Sequence, residues 1–363
     1  MVGLDHAFSP RTNLRRIGLA LIALWLPVHA AAMPQQPAAS YTRLVEGDNP
    51  SKLEKELNEA AANGYRISRA APERIHNAIA NLLLAGGHDE TSGAVVLMEK
   101  IPSSGSANYQ YAVVRLFARA SSWERDINKA ASQGFRVIPG YGTLTMHQGF
   151  VLGTAEAPIT IMEKTPGGSE VKEYVVAEAR QIGNFEHEVN QRFANNYGIM
   201  YIGRFYAIHL ALMEKRDAPV EERLLTAKKD EELEAKIRAS AAERFCIVHT
   251  ESTMEDASHG DRLAHVQKCD TAPEYIFTKN EQKARADFHK AVADGYRLVP
   301  TGIFGKAITF VKAPTGGRYE YCFVRNKVEA DEARQKGYTE LPLSYPIWHS
   351  FVFERPVSAP QPR

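Results

Sequence analysis

The sequence predicts an α+β fold of about six tandem β-α-β-β repeats, which form antiparallel sheets with helices packed on one face. Two recurring signatures predict it: a glycine followed by an aromatic residue, and strand ends that read Met-Glu-Lys. Recurrence at roughly 45 to 70 residues is typical of one duplicated supersecondary unit. One helix cannot cover both faces of a three-stranded sheet, so neighbouring repeats are expected to pair or stack.

The repeats occupy most of the 363 residues. We predict this order along the chain: a signal peptide (1–32), a disordered tail (33–40), repeat 1 with an insertion (41–105), repeat 2 (106–168), repeat 3 (169–219), repeat 4 (220–272), repeat 5 (273–317), repeat 6 (318–356) and a second disordered tail (357–363). Pro, Gln, Ser and Ala are frequent in both tails, and such a composition buries too little apolar surface to fold.

The first 32 residues have the layout of a secretory signal peptide. Three arginines precede an apolar run over residues 17–28, and Ala30-Ala31-Ala32 offers a cleavage site, as does Val28-His29-Ala30. The alternative, a membrane anchor, needs about 20 uninterrupted apolar residues, and Pro27 and His29 interrupt this run. We therefore expect a periplasmic or secreted protein with no membrane span after cleavage.

The composition is that of an ordinary globular protein, with 44% hydrophobic and 24% charged residues. Removing residues 1–32 takes away three arginines and one aspartate, which changes the formal net charge from +1 to −1. A nucleic-acid partner normally requires a clustered basic face. The charge therefore argues against nucleic acid as a partner.

Each repeat begins with a predicted strand of alternating or β-branched residues, clearest at 109–114, 172–176 and 319–324. A helix follows, with apolar residues at i, i+4 and i+7 or i+8, so that one stripe faces the sheet. In the first four helices the stripe consists of Leu53, Leu57 and Ala61; Trp123, Ile127 and Ala131; Phe185, Val189 and Phe193; and Leu233, Ile237 and Ala241.

The Gly-aromatic signature marks the end of each helix. A residue in the left-handed conformation commonly ends a helix, and glycine adopts that conformation most readily. The residues predicted at this position in the six repeats are Gly64, Gly134, Asn196, Arg244, Gly295 and Gly337. The aromatic residue that follows can fold back onto the last helical turn. The signature is thus interpreted as structural rather than as a ligand-binding motif.

The first two hairpins are longer than the others. An apolar insertion at 72–87 separates Arg66 from Met98, and an excursion that begins at Gly140-Tyr141-Gly142 ends at Pro158. Insertions on uniform repeats map to loops, where binding and catalytic residues concentrate.

The repeat, read as Tyr-x-Tyr-x-Val-Val, an amphipathic helix, Gly-aromatic and a hairpin that ends in a basic residue, resembles a small bacterial family of domains of unknown function. The matching residues are Tyr109, Tyr111, Gly134, Phe135 and Lys164 in repeat 2, and Tyr319, Tyr321, Gly337, Tyr338 and Arg355 in repeat 6. The family residue after glycine is commonly Trp, whereas here it is Tyr or Phe. The resemblance supports the fold and implies no activity.

The chain has 3 cysteines, and pairing is expected in an exported protein. Cys246 follows the fourth helix and Cys269 follows the returning strand, so a hairpin that turns near Asp256 would make them face each other. We predict a Cys246–Cys269 disulfide and a buried free thiol at Cys322, which lies inside a predicted strand. The alternative is three buried free thiols.

Charged residues recur at fixed places in the hairpins. We expect cross-strand ion pairs between Arg66 and Glu99 and between Arg136 and Glu163. Alternatively, the basic residues at the strand ends line a groove for an anionic ligand. These residues are Lys100, Lys164, Lys215, Lys268, Lys312 and Arg355.

No motif in the sequence predicts a catalytic residue, a metal or a cofactor. The helix around His187 lacks the second histidine of a zinc-protease helix, and there is no P-loop, nucleophile elbow or dinucleotide fingerprint. An opportunistic zinc site in the fourth hairpin is the alternative to a solvated loop there. Its residues would be His249, His259, His265, Asp256 and Asp261.

These observations favour an exported, non-catalytic binding or scaffold protein of the bacterial cell envelope, because repeat arrays expose extended surfaces. A protein or glycan of the envelope is the expected partner. The alternatives are an envelope hydrolase with its site in the loops of repeats 1–3, and a secreted factor that acts on other cells. Candidate contact residues are aromatics near the hairpin tips, most of them expected in the sheet interior: Tyr141, Tyr201, Phe205, Tyr206, Tyr345, Trp348 and Phe351.

Overall fold

The fold is described from a computed structural model. It covers residues 41–47, 50–67, 93–100, 109–115, 119–138, 144–150, 153–168, 170–205, 208–252, 260–313, 317–341 and 347–357. The predicted signal peptide (1–32), the first tail (33–40) and the apolar insertion (72–87) lie outside the described residues, as does most of the second tail.

The described residues form six units, each with a first strand, a helix, a second strand and a third strand. Unit 1 consists of β1 (Tyr41–Gly47), α1 (Pro50–Ala62), β2 (Tyr65–Ile67) and β3 (Gly93–Lys100). Unit 2 consists of β4 (Gln110–Arg115), α2 (Ala120–Ala131), β5 (Arg136–Val137), β6 (Leu144–Phe150) and β7 (Gly153–Lys164). Unit 3 consists of β8 (Tyr174–Ala179), α3 (Ile182–Ala194), β9 (Tyr197–Phe205) and β10 (Ile208–Lys215).

The three C-terminal units follow the same plan. Unit 4 consists of β11 (Glu222–Ala227), α4 (Asp230–Ala242), β12 (Phe245–Ser252) and β13 (Arg262–Lys268). Unit 5 consists of β14 (Tyr275–Lys279), a 3₁₀ turn (Gln282–Ala284), α5 (Arg285–Ala293), β15 (Tyr296–Phe304) and β16 (Ala307–Lys312). Unit 6 consists of β17 (Arg318–Val324), α6 (Lys327–Gln335), β18 (Thr339–Glu340) and β19 (Phe351–Val357).

In every unit the last strand lies between the first and the second, and the pairings are antiparallel. The first strand is therefore at an edge of its sheet. In unit 2 the excursion that the sequence placed in a loop forms β6 instead, and β6 pairs with β7 from Leu144 opposite Ile159 to Phe150 opposite Gly153. The predicted α+β architecture of antiparallel sheets with packed helices is confirmed.

The sheets of units 2 to 6 are buried on both faces because the units stack. In β8, Val175 and Ala177 belong to the core that contains α3, the helix of the same unit. Tyr174 and Val176 belong to the core that contains α2, the helix of the preceding unit. Successive strand residues point to opposite faces, so each of the helices α1 to α5 lies between its own sheet and the next one.

The predicted helical stripes are buried in all of the first four helices. The residues predicted to end the helices have positive φ, including the two that are not glycine: Asn196 at 63° and Arg244 at 64°. A side chain with a Cβ costs about 1–2 kcal/mol in this conformation. The packing of the following aromatic residue and strand therefore maintains the turn even where glycine is missing.

The basic residues at the ends of the third strands stabilise the helix ends. Lys100 Nζ donates to the carbonyl of Asn63 at the C-terminus of α1 (2.8 Å) and lies 4.7 Å from the ring centroid of Tyr65. Lys215, Lys312 and Arg355 make the equivalent pairs of contacts in their units. A cation is favourable both at a helix C-terminus and over an aromatic face. These contacts account for four of the six basic residues without a groove for an anionic ligand.

Candidate functional site

Consecutive units meet at junctions, and the first three junctions share one hydrogen-bonding device. Asn128 in α2 donates from Nδ2 to the carbonyl of Tyr174 (2.7 Å), and the N–H of Tyr174 donates to Asn128 Oδ1 (2.9 Å). Asn58 with Tyr111 and Asn190 with Leu224 form the same pair of bonds. We call this device the amide clamp. It pairs backbone groups at an edge strand that would otherwise be open to another chain.

A glutamate one helical turn before the asparagine adds a second contact. Glu124 Oε2 accepts from the N–H of Val176 (2.7 Å), and Glu54 Oε2 accepts from the N–H of Val113 (2.9 Å). In α3 the equivalent residue, Glu186, accepts from the hydroxyl of Thr226 (2.6 Å). The helix of one unit thus offers two acceptor groups in succession to the first strand of the next.

A tyrosine and a glutamate link adjacent sheets. The N–H of Ile67 donates to Tyr111 Oη (3.0 Å), Tyr111 Oη donates to Glu163 (3.2 Å), and Arg66 donates to Glu163 at 2.7 and 3.0 Å. The junction between units 5 and 6 has the same network, formed by Leu298, Tyr321, Glu354 and Arg297. Burial raises the pKa of both Tyr111 and Tyr321, so both hydroxyls remain donors across the physiological range.

These ion pairs join units rather than the two strands of one hairpin. Arg66 lies opposite Glu99 in the β2–β3 register, but its guanidinium binds Glu163 of unit 2. Arg136 lies opposite Glu163 and pairs with Glu170 instead. The predicted partners were therefore wrong: stacking brings Arg66 to a carboxylate that is only 2% exposed.

The junction between units 5 and 6 departs from the amide clamp. Helix α5 has Arg285 and His289 at the two positions where α1, α2 and α3 have glutamate and asparagine. Within the described residues, the hydrogen bond from unit 5 to β17 comes from Leu298 on β15 rather than from α5. Tyr321 on β17 is only half-buried, whereas its counterparts Tyr111, Tyr174 and Tyr275 are buried. The edge of β17 is thus covered less than the equivalent edges.

A half-open recess of about 280 Å³ lies beside this edge. Its lining comes from the 3₁₀ turn and the start of α5, from β17 and the residue after it, from the start of α6, and from the turn at 347–350. The lining residues are Gln282, Arg285, Phe323, Arg325, Glu329, Trp348 and Ser350. They are between 2 and 68 positions apart in sequence, and only the stacking of unit 6 on unit 5 brings them together.

Trp348 is the largest residue of the recess. It is 6% exposed, its ring centroid is 4.8 Å from that of Phe323, and the guanidinium carbon of Arg285 lies 5.2 Å from its ring. Its Nε1–H has no hydrogen-bond partner within the described residues, and the same is true of Trp123, which is fully buried between units 2 and 3. Trp348 differs from Trp123 because it also lines a recess that solvent can enter.

The backbone at Trp348 is strained. Trp348 has a φ of 50° and the next residue, His349, has a φ of 61°. Residues other than glycine rarely adopt the left-handed region, and each such conformation costs on the order of 1–3 kcal/mol and is concentrated at functional sites. The strain and the unpaired indole N–H occur in one residue, which marks this turn as more than a connection between strands.

The charges of the recess do not neutralise each other in pairs. The guanidinium of Arg285 contacts the rings of Phe323 and Trp348 and, in the part of the chain that the structure describes, no carboxylate. The carboxylate of Glu329 accepts from the N–H of Arg325 (2.8 Å) and from Asn326 Nδ2 (2.9 Å). Glu329 thus caps the start of α6, and both guanidiniums keep donors for a ligand.

The predicted cysteine pair is close in space. Cys246 and Cys269 have their Sγ atoms 2.17 Å apart and their Cα atoms 5.8 Å apart, which is disulfide distance. They do not face each other directly, because Cys246 is opposite Gln267 and Cys269 follows the end of β13, where its N–H donates to the carbonyl of Arg244. Cys322 is a half-buried free thiol.

The predicted histidine group does not assemble in the described residues. His265 pairs with Glu222 (2.8 Å), and His209, not one of the predicted residues, contacts Asp261 (3.4 Å). His259 and Asp256 lie outside the described residues, within which no group of three potential metal ligands occurs. His187 lies on an exposed polar face of α3, beside an open depression lined only by polar side chains.

The aromatic residues predicted near the hairpin tips lie in different environments. Tyr201 packs in the core between units 2 and 3, and Phe351 is 40% exposed on β19. The positions of Tyr141, Tyr206 and Tyr345 and the side chain of Phe205 lie outside the described parts. Of the three whose side chains are described, Tyr201, Trp348 and Phe351, Trp348 alone lines the recess.

Sequence reasoning missed the other residues of the recess. One signal could have found it: Arg285 reverses the charge at a position where four helices have Glu54, Glu124, Glu186 and Glu234. The proximity of Arg325 to Trp348 had no sequence signal, because β18 and a turn intervene.

No family model, curated protein or solved structure matches the chain. The resemblance to the family of unknown function therefore stays a prediction. Across the described ranges, the helices are all too short or too polar to cross a membrane.

Proposed function

We propose that the protein is an exported, non-catalytic binding protein of the cell envelope, in which the stacked units are the scaffold and the recess between units 5 and 6 is the binding site. The layout of residues 1–32 supports export, and so does the disulfide-distance pair Cys246–Cys269, because disulfides persist in oxidising compartments.

One observation carries the proposal. The charged and polar residues that recur in the repeats are used by the fold, in the amide clamp, the tyrosine–glutamate networks and the caps at the helix ends. At the recess the recurrent glutamate is replaced by Arg285, and the neighbouring Trp348 has an unpaired N–H in a strained turn. The exposed guanidinium of Arg285, which no carboxylate pairs within the described residues, is a natural contact for a ligand.

The chemistry of the recess fits binding rather than turnover. Guanidinium groups and an indole N–H are hydrogen-bond donors that keep their protons at neutral pH. The hydroxyl of Ser350 lies 3.4 Å from the carbonyl of Trp348, which it faces as a donor. Such groups hold and orient a ligand.

The proposal is tested by ¹H–¹⁵N spectra of the mature protein during a screen of small molecules from the cell envelope. The chain has 3 tryptophans, of which Trp25 leaves with the predicted signal peptide. We expect a ligand to shift the indole signal of Trp348 and not that of Trp123, and Arg285→Gln to weaken the response. Arg318→Gln, at the end of β17 that is far from the recess, is the matched control.

A screen in which no compound shifts the Trp348 signal would overturn the assignment of the recess as the binding site. Conversion of a bound compound into new species would contradict the non-catalytic part of the proposal and favour the hydrolase alternative.

A further inference from the structure

We infer that the recess takes a small carboxylate that bears one negative charge and a flat apolar group. The inference deepens the proposed function and rests on it, because it names the ligand class of the same site. It is argued from the charges of the recess, the geometry of its donors and the chemistry of its walls.

The charge of the recess selects a monoanion. Arg285 and Arg325 contribute two positive charges and Glu329 one negative charge, which leaves one positive charge to be neutralised. A carboxylate supplies one negative charge. A phosphate monoester carries about −1.5 to −2 charges at neutral pH, and its excess charge would be repelled by Glu329. The presence of Glu329 therefore favours a carboxylate over a phosphate.

The donors of the recess suit a planar acceptor. Arg285 lies over the face of the Trp348 ring, so stacking occupies the face of its guanidinium and leaves the N–H groups at the edge available. A guanidinium edge and a carboxylate match as two parallel hydrogen bonds. Arg325, whose side chain is exposed in the same lining, supplies further donors.

The walls of the recess suit a flat apolar group. Phe323 and Trp348 pack on each other with centroids 4.8 Å apart, and both residues line the recess. Phe323 is only half-buried, so a flat apolar group can pack on its accessible part. A volume of about 280 Å³ lies at the lower end for ligand pockets, so the ligand is small.

The test compares three probes that share a phenyl ring: benzoate, its neutral isostere benzamide, and phenyl phosphate. Each is titrated against the mature protein while the indole ¹H–¹⁵N signals of Trp348 and Trp123 are followed. We expect benzoate to shift the Trp348 signal to saturation, and benzamide and phenyl phosphate to bind at least about tenfold more weakly. The Trp123 signal should stay in place with all three probes.

Variants separate the guanidinium contacts from general effects of charge. We expect Arg285→Gln and Arg325→Gln each to weaken benzoate binding by at least about tenfold, and Arg318→Gln to leave it unchanged. Both recess arginines are exposed, and the dispersion of the amide spectrum reports directly whether each variant is folded.

The outcomes distinguish the inference from the proposed function. Equal binding of benzamide, or tighter binding of phenyl phosphate, overturns the carboxylate assignment and leaves the recess as a binding site. If none of the three probes binds but another compound from the envelope screen shifts the Trp348 signal, the carboxylate assignment is likewise overturned and the recess is still a binding site. If neither the probes nor the screen shifts Trp348, both the inference and the proposed function fail.

Discussion

The junctions among units 1 to 4 and the junction between units 5 and 6 hold the first strand of the next unit in different ways. In the former, a helix side-chain amide pairs with the backbone of an edge strand, as Asn128 does with Tyr174. In the latter, Phe288 on α5 is surrounded by aromatic rings with centroids 4.9 to 5.6 Å away: Phe310, Tyr321, Phe323 and Trp348. Hydrogen bonds fix the first kind of junction, and aromatic packing holds the second.

The comparison teaches how a repeat array can acquire a site. The amide clamp brings the helix against the edge strand and forms hydrogen bonds with the backbone of that strand. Aromatic packing stabilises a junction without these hydrogen bonds, so a recess and unpaired donors remain beside the edge strand. The tyrosine–glutamate–arginine network occurs at both kinds of junction, as Arg66–Glu163 and as Arg297–Glu354. That network therefore aligns the sheets, and the helix contact decides whether a recess opens.

Removal of the central ring should have the largest effect. Phe288→Ala is expected to lower the free energy of unfolding by about 3–5 kcal/mol, because it leaves a cavity among four aromatic neighbours, and to abolish the response of Trp348 to ligand. Ile127→Ala, at the equivalent position of α2, should cost about 2–5 kcal/mol and leave that response intact. Urea unfolding and the indole signals measure the two effects. Loss of the Trp348 response in both variants would contradict a local role for Phe288.

The junction between units 4 and 5 is of a third kind, because Cys246 and Val311 replace the arginine and the glutamate of the network. Removal of the cysteine pair tests how much this junction depends on it. Free-thiol counting on the denatured, exported protein should find one thiol, that of Cys322. Cys246→Ala together with Cys269→Ala should lower the free energy of unfolding by about 2–4 kcal/mol. Three free thiols in the unreduced protein would remove the disulfide prediction.

The amide clamp itself can be removed at matched positions. Asn128→Ala is expected to cost about 1–3 kcal/mol, because it leaves the N–H and the carbonyl of Tyr174 without their partners. His289→Ala, at the equivalent position of α5, should change stability by less than about 0.5 kcal/mol, because His289 is exposed. Chemical denaturation measures the loss in free energy of unfolding for the two variants, and equal losses would contradict the proposed difference between the junctions.

The shared network predicts a dependence on alkaline pH. Burial raises the pKa of Tyr321 above its ordinary value of 10.0, so the folded protein keeps this proton to a higher pH than the unfolded chain does. Its stabilising contribution is therefore complete below about pH 10 and is lost as the pH rises above it. Tyr321→Phe should cost about 1 kcal/mol at neutral pH and reduce the slope of stability against pH above pH 10. An unchanged slope would contradict the assignment.

The smallest effect is expected when the repeat is restored at the recess. Arg285→Glu reinstates the residue of the other helices and should change stability by less than about 0.5 kcal/mol, because this exposed side chain gains a possible bond to β17 and loses its stacking on Trp348. Thermal unfolding measures the first effect, and titration with benzoate should show that binding is lost. Retained binding would mean that Arg285 does not contact the ligand.

The repeating unit and its caps could be predicted from the sequence. The stripe of Leu53, Leu57 and Ala61, and the positive φ of Asn196 and Arg244, follow from contacts within a few residues of the chain. The strand β6 was harder to predict from the sequence, because strand pairing over a long hairpin has no short-range signature.

The side chains through which the units meet could not be predicted, because they depend on how the units pack. Arg66 and Glu163 are 97 positions apart, so nothing in the local pattern distinguishes Glu163 from Glu99 as the partner. The recess likewise depends on the stacking of unit 6 on unit 5, which brings Arg285 to Trp348. Periodicity specifies what one unit buries, whereas the choice of partner depends on distances that exist only after the units have packed.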